Sequence, residues 1–86
     1  MEILYSTKFK REYKKLSSNI KDGAEKNEVL FRKDPFDLKL KTHKLSGKLN
    51  GFLSFSISHK YRIIFEFSSD KNVARFHSVG NHDIYQ

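Results

Sequence analysis

The histidines and arginines of this sequence are the residue types best suited to proton transfer and to anion binding, and the chain has four of each. The histidines are His43, His59, His77 and His82. A histidine side chain, with a reference pKa of about 6.5, can act as a general acid or a general base near neutral pH. An arginine side chain carries a guanidinium, which is a bidentate clamp for phosphate. Histidine and arginine together are the residue types that acid–base chemistry on a phosphate needs.

Metal and thiol chemistry is not expected. The chain has no cysteine, which excludes disulfides, thiol nucleophiles, iron–sulfur clusters and Cys-ligated zinc. His77 and His82 are five positions apart with no evident third ligand, so we predict no metal and no cofactor. Glycine-rich phosphate loops and the HExxH, GxSxG and EF-hand patterns are also absent from the sequence.

Basic residues outnumber acidic ones, and the excess lies in the first half of the chain. The 86 residues carry seventeen Lys and Arg against ten Asp and Glu, a net charge of +7. Residues 1–48 hold thirteen of these basic residues and seven of the acidic ones. A dense basic surface attracts polyanions because neutralised phosphates release their condensed counterions. The charge therefore favours a nucleic acid or another acidic partner.

Length and hydropathy predict one small domain. A domain usually has about 100–200 residues, so this chain has no room for a second one. Eight Phe and four Tyr supply large apolar surfaces for a core. No apolar run approaches the ~18 residues of a membrane span, and residues 1–5 do not resemble a signal peptide. We expect a cytoplasmic protein with no membrane partner.

The first half of the chain predicts one strand and two helices. Residues 2–6 are typical of a short strand, and Ser6 or Thr7 can cap the helix that follows. That helix is indicated by an apolar stripe at spacings of four, three and four, formed by Phe9, Tyr13, Leu16 and Ile20.

A second helix is predicted from a new cap at residues 17–19 to about Arg32. It would bury Ile20, Ala24 and either Leu30 or Phe31. Gly23 weakens this prediction, since glycine costs a helix up to about 1 kcal/mol relative to alanine. The sequence Asp34-Pro35 ends the helix because a residue before proline is disfavoured in the α region.

The second half changes to the period of two that is typical of strands. Apolar residues alternate with serines over residues 49–57, which predicts one strand. Residues 61–67 alternate more clearly and place Arg62 on the face away from its apolar neighbours. Residues 73–79 are the last predicted strand, with one face formed by Val73, Arg75, His77 and Val79. The predicted order is β-α-α-β-β-β.

Two stretches of this half match a known pattern. The first carries His43-Lys44-Leu45-Ser46-Gly47, then Leu49-Asn50-Gly51-Phe52 and Tyr61-Arg62-Ile63-Ile64-Phe65; the second is Val79-Gly80-Asn81-His82-Asp83-Ile84-Tyr85. In this order and spacing they resemble the RelE superfamily of bacterial toxins, and the match leans toward its YafQ and YoeB types. The resemblance implies an α+β fold over residues 1–86, with two N-terminal helices packed on a small, mainly antiparallel sheet.

The resemblance also implies an activity and partners. Relatives of the YafQ and YoeB types are ribosome-dependent, metal-independent mRNA endonucleases, or mRNA interferases, which cut mRNA in the ribosomal A site. They belong to type II toxin–antitoxin systems and are neutralised by a cognate acidic antitoxin. A dimer or a toxin–antitoxin heterotetramer is compatible with that pattern.

Three residues correspond to the catalytic groups of those relatives. RNA cleavage without a metal uses the ribose 2′-OH as nucleophile and needs a base, an acid and a positive donor at the phosphate. The resemblance implies proton transfer by His82 and contact with the scissile phosphate by Arg62. His43 falls where the YoeB type carries a glutamate base and the YafQ type a histidine.

The chain departs from the family pattern at three positions. Tyr85, which corresponds to a terminal aromatic that stacks on a base or holds the substrate, follows His82 by three residues where many relatives have four. Ser56 stands where YafQ-like toxins have another histidine, and Lys60 replaces an acidic residue. The site therefore combines features of both types.

Four lysines near His43 are candidates for contact with RNA phosphate: Lys39, Lys41, Lys44 and Lys48.

Two other functions fit the same fold, since a fold does not determine a function. One is a ParE-like inhibitor of DNA gyrase, whose relatives usually lack the His and Arg set. The other is a basic RNA- or protein-binding module without catalysis.

Overall fold

The computed structural model describes residues 1–81, which form two helices and a five-stranded sheet. The elements in chain order are β1 (Glu2–Tyr5), α1 (Thr7–Lys14), α2 (Ser18–Lys33), β2 (His43–Lys44), β3 (Leu53–Ser56), β4 (Arg62–Phe67) and β5 (Val73–Gly80). The strand order is β1-β5-β4-β3-β2, with β1 parallel to β5 and the other neighbours antiparallel. The predicted α+β fold, with a mainly antiparallel sheet, is confirmed. No helix within these residues is both long and apolar enough to cross a membrane.

Both helices begin at the serines that the sequence indicated. The Ser6 hydroxyl accepts a hydrogen bond from the Phe9 amide at 2.9 Å, and the Ser17 hydroxyl accepts one from the Ile20 amide at 3.4 Å. Ser6 also donates to the His77 carbonyl at 2.7 Å, which joins the start of α1 to β5. One side chain thus satisfies a helix N-terminus and fixes the helix on the sheet.

An aromatic cluster fills the space between the helices and the sheet. Phe31 of α2 lies at its centre, with its ring 4.8 Å from that of Phe55, 4.9 Å from Phe65 and 5.3 Å from Phe76. These four side chains are fully buried. Of the two alternatives offered by the sequence, Phe31 and not Leu30 is the core residue, while Leu30 and Ile20 pack at its edge. Aromatic burial of this kind stabilises a small domain that has few other residues to bury.

The segment between α2 and β4 differs from the prediction. The strand expected over residues 49–57 is shorter, because residues 47–49 form a single 3₁₀ turn and β3 starts at Leu53. Gly51, with φ at +97°, takes a left-handed conformation that favours glycine and leads the chain into β3. A further strand that the alternation did not indicate, β2, pairs with β3 through His43 and Lys44.

A β-bulge in β5 changes which residues share a face. Ile64 pairs with Ser78 but Phe65 pairs with Phe76, so His77 is the additional residue. Phe76 and Val79 therefore both lie on the helix side and belong to the core. The prediction that Val79 shares a face with Arg75 is wrong, because the bulge interrupts the period of two between them.

Candidate active site

The sheet has a second face, away from the helices, and we call it the open face. Strand pairing aligns His43, Ser54, Ile64 and Ser78 in one row across it. The adjacent row contains Ser56, Arg62 and Gly80. Side chains paired directly across strands point to the same side of a sheet. The pairing thus brings together His43 and Arg62, which are 19 residues apart in the sequence.

The open face carries a buried apolar residue and a contact between two rings. Ile64 is buried although it lies outside the cluster beneath the helices. The ring of Phe52, which precedes β3, lies 5.1 Å from that of His77 on β5. His77 therefore packs against an aromatic ring. His59 is exposed in the turn between β3 and β4.

Arg62 is held by two acceptors. Its Nε donates to the Ser54 hydroxyl at 3.0 Å, and its Nη2 donates to the Lys41 carbonyl at 2.9 Å. The simplest structural role for Arg62 would be an ion pair with Glu66, four residues along the same strand. Glu66 instead pairs with Arg75 of β5 at 3.8 Å. The arginine is fixed on the open face without a carboxylate partner among residues 1–81.

The acceptor from Lys41 depends on a folded loop. Lys41 has φ at +53°, a left-handed conformation that is uncommon for lysine and orients its carbonyl toward Arg62. The loop before it is closed by the Asp37 carboxylate, which accepts from the Lys39 amide at 2.8 Å. Thr42 adds a hydrogen bond to the Pro35 carbonyl at 2.6 Å. Sequence reasoning missed the roles of the Lys41 carbonyl and of Ser54, since neither residue type signals an arginine partner.

His43 lies beside the guanidinium. Its Nδ1 is 3.3 Å from Arg62 Nη2 and 3.2 Å from the Lys41 carbonyl oxygen. The two contacts need different tautomers of the ring. In the first arrangement, Nδ1 carries no proton and accepts a hydrogen bond from Arg62. In the second arrangement, Nδ1 carries a proton and donates a hydrogen bond to the Lys41 carbonyl. In the second arrangement the neutral ring has its lone pair on Nε2, where it can take a proton. In the first arrangement Nε2 carries the proton.

The four lysines predicted to contact RNA flank His43 along the chain. Lys39, Lys41, Lys44 and Lys48 all have exposed side chains. Their contact with RNA stays a prediction. His82 and Tyr85 lie outside the described residues. Within residues 1–81, no three His, Cys, Asp or Glu side chains are grouped so as to hold a metal ion.

A separate cleft of about 530 Å³ opens between α1 and α2, on the other side of the sheet. Its aromatic lining is formed by Tyr5, Phe9 and Tyr13. The α1 rim is basic and carries Lys10 and Lys14, whereas the α2 rim carries Glu25, Glu28 and Arg32. The cleft thus combines an apolar interior with rims of different charge.

The two tyrosines of the cleft have raised pKa values. Burial, together with the hydrogen bond from Tyr5 to the Glu28 carboxylate at 2.8 Å, raises the pKa of Tyr5. Burial and the nearby carboxylates of Glu25 and Glu28 raise the pKa of Tyr13. Both phenols therefore stay neutral over the physiological pH range and add hydrogen-bonding groups to the cleft.

No protein-family model matches the chain, and no curated protein matches it in sequence. Solved structures match it over nearly its whole length. YafQ from Escherichia coli BL21(DE3) superposes with a TM-score of 0.79 at 17% identity, covering 98% of this chain and 96% of its own. A YoeB/ParE toxin from Agrobacterium tumefaciens gives 0.80 at 15% identity, with 95% and 99% covered.

A third match comes from an archaeon. RelE in the RelE–RelB complex of Pyrococcus horikoshii OT3 superposes with a TM-score of 0.75 at 13% identity, covering 93% of this chain and 92% of its own. All three similarities are similarities of fold, and one fold hosts more than one function. The chain has the fold of the RelE superfamily toxins, as its motifs and element order predicted.

Proposed function

We propose that this protein is the toxin of a type II toxin–antitoxin system and that it cleaves mRNA on the ribosome. The observation that carries the proposal is the contact between His43 and Arg62 on the open face. An imidazole beside a fixed guanidinium supports this proposal, because RNA cleavage needs a proton-transfer group and a cation. The surrounding exposed lysines and the net charge of +7 support a polyanionic substrate.

The proposed reaction is an attack of the ribose 2′-OH on the adjacent phosphate. His43 takes the hydroxyl proton at Nε2 while its Nδ1–H donates to the Lys41 carbonyl. The 2′-oxygen bonds to phosphorus, Arg62 stabilises the charge on the phosphorane oxygens, and the bond to the 5′-oxygen breaks. His82 gives its proton to that leaving oxygen, which leaves a 2′,3′-cyclic phosphate and a 5′-hydroxyl. The role of His82, like substrate stacking by Tyr85, is proposed from the family resemblance.

The experiment is to incubate translating ribosomes with the protein and to map new mRNA 5′ ends. Arg62→Ala should lower the cleavage rate by about 10²- to 10³-fold, as the loss of one electrostatic donor does. Arg75→Ala is the matched control, because it removes the same charge from an exposed pair on β5. Thermal unfolding of each variant is measured alongside, so that loss of activity is separated from loss of fold.

A second pair of variants tests acid–base catalysis. His82→Gln cannot exchange protons near neutral pH, so cleavage and growth arrest should fall by roughly 10²- to 10⁴-fold while ribosome binding remains. His59→Gln, in the exposed turn, should leave activity nearly unchanged. Wild-type cleavage by His82→Gln would refute the proton-transfer role. Growth arrest without mRNA cleavage would instead favour the gyrase inhibitor or a non-catalytic binding module.

The partner that we propose is an acidic antitoxin segment in the cleft between α1 and α2. Its apolar side would pack on Phe9 and the neighbouring tyrosines, and its carboxylates would face Lys10 and Lys14 of α1. The carboxylates on the α2 rim would repel the reverse orientation, so the charge pattern selects one direction.

Co-expression with the product of the adjacent gene tests this pairing. Lys10→Glu combined with Lys14→Glu should weaken the complex by about tenfold or more, since each exposed ion pair is worth up to about 1 kcal/mol. Lys8→Glu with Lys15→Glu makes the same charge change outside the lining of the cleft. Equal weakening by both pairs would contradict the cleft as the site and indicate a net-charge effect.

A further inference from the structure

Ser54 is a buried polar residue that contacts the Arg62 guanidinium. It is a small polar residue in the middle of β3, and its exposure is 0%. Its hydroxyl accepts from Arg62 Nε at 3.0 Å across the diagonal between β3 and β4. A hydrogen bond from a charged donor to a buried acceptor is stronger than a neutral one. Ser54 thus contributes to where the guanidinium lies.

The two acceptors of Arg62 occupy the same edge of its guanidinium. Nε and Nη2 carry the parallel N–H groups of that edge, and these donate to Ser54 and to the Lys41 carbonyl. Two bonds to one planar group fix both its position and its orientation. Within residues 1–81, Nη1 has no acceptor, so its N–H groups are available to a phosphate oxygen.

We infer that Ser54 is a positioning residue for Arg62: it acts through the guanidinium and aims Nη1 at the phosphate of the substrate. The inference rests on the proposed function, and it adds a residue that neither the motifs nor the candidate catalytic set contains. A donor that is fixed before the substrate arrives stabilises the transition state without the cost of reorganisation. A displaced donor loses that advantage, since about 1 Å of misplacement can cost 10²-fold in rate.

Ser78 is the matched control. It belongs to the same row of the open face, on the far side of Ile64, and is 1% exposed. Its hydroxyl is buried and has no hydrogen-bond partner among the described residues. Ser78→Ala therefore removes an equally buried hydroxyl from the same face without changing any contact of Arg62.

The experiment compares Ser54→Ala and Ser78→Ala in the wild-type and Arg62→Ala backgrounds. In the wild-type background, Ser54→Ala should lower mRNA cleavage by about ten- to a hundredfold, and Ser78→Ala should leave it within about twofold. In the Arg62→Ala background, Ser54→Ala should cause no further loss, because the group through which it acts is absent. Ser54→Cys, which keeps the size but has a weak sulfur acceptor, should reproduce the loss if the alanine variant unfolds.

A second measurement does not depend on activity. Hydrogen exchange of the Arg62 Nε–H, followed by NMR, should accelerate at least tenfold in Ser54→Ala and stay unchanged in Ser78→Ala. A wild-type protein that fails to cleave mRNA would refute the proposed function, yet the exchange rates would still test the position of Arg62. If wild type cleaves and Ser54→Ala cleaves equally well, or if its loss persists without Arg62, the positioning role is wrong.

Discussion

Gly23 offers a stability test in which helix propensity and tertiary packing predict opposite signs. It lies inside α2, where alanine is favoured over glycine by about 1 kcal/mol. Propensity alone therefore predicts that Gly23→Ala stabilises the protein. In the structure, however, a Cβ at this position would overlap the carbonyl oxygen of Ile57, at the end of β3. The atom it meets belongs to the backbone and cannot turn away as a flexible side chain could.

The expected loss of stability depends on how firmly the end of β3 is held, since it would have to move to make room for the Cβ. Asn27 of α2 donates to the Ser56 carbonyl at 2.6 Å, and the Ile57 amide donates to the Tyr61 carbonyl at 3.0 Å, so the end of β3 is held from two sides. Overpacking a close contact costs about 1–3 kcal/mol, and loss of the Asn27 hydrogen bond adds about 1 kcal/mol. After the gain in propensity of about 1 kcal/mol, we expect Gly23→Ala to lower the free energy of unfolding by about 1–3 kcal/mol. At about 4–8 °C per kcal/mol, Tm should fall by about 4–24 °C.

Thermal unfolding followed by circular dichroism measures this change. Lys26, an exposed residue three positions further along α2, provides the control: the difference between Lys26→Gly and Lys26→Ala gives the propensity term in the same helix. Subtracting that term from the result at Gly23 isolates the packing cost. A Gly23→Ala variant as stable as wild type, or more stable, would refute the close approach of α2 to the end of β3.

Three further predictions concern the pH dependence of stability and a part-buried hydrogen bond. Hydrogen bonds from Ser68 and from Asn72 hold the pKa of Asp70 below its ordinary value, so the stability they add is present above about pH 4 and is lost as the pH falls further. In an acid titration, the stability of Asp70→Asn should therefore decline less steeply than that of wild type. Identical curves would contradict the role of this carboxylate. Tyr5→Phe removes the hydrogen bond to Glu28 and should cost about 0.5–1.5 kcal/mol in urea unfolding. Because the pKa of Tyr5 is raised, wild type should lose stability as the pH rises above about 10, and Tyr5→Phe should lose less. If both proteins lose the same stability at alkaline pH, the ionisation of Tyr5 is not coupled to folding.

Local sequence was sufficient for the elements whose causes are local. Ser6 and Ser17 cap the helices because a serine hydroxyl satisfies an amide within three residues of itself. Arg62 lies on the face of β4 opposite Ile63 and Phe65 because side chains of a strand alternate. Both causes operate over a few residues, so the pattern of residue types reveals them. His43 and Arg62 could therefore be named as candidates from the sequence and the family resemblance.

The arrangement of the site was decided by contacts between distant segments. The bulge at His77 depends on the pairing of β5 with β4, and no residue type marks it. The acceptors of Arg62 are a backbone carbonyl, which every residue possesses, and the hydroxyl of Ser54 on a neighbouring strand.

Gly23 also shows the difference between what the sequence indicates and what the tertiary structure decides. From the sequence, Gly23 is a residue of low helix propensity within a predicted helix. In the tertiary structure, it is the position where α2 approaches the end of β3. Residue types and their spacing thus determined which groups could do chemistry and which elements carry them. Strand register and backbone placement decided which of these groups meet, because both depend on how segments far apart in the sequence pack together.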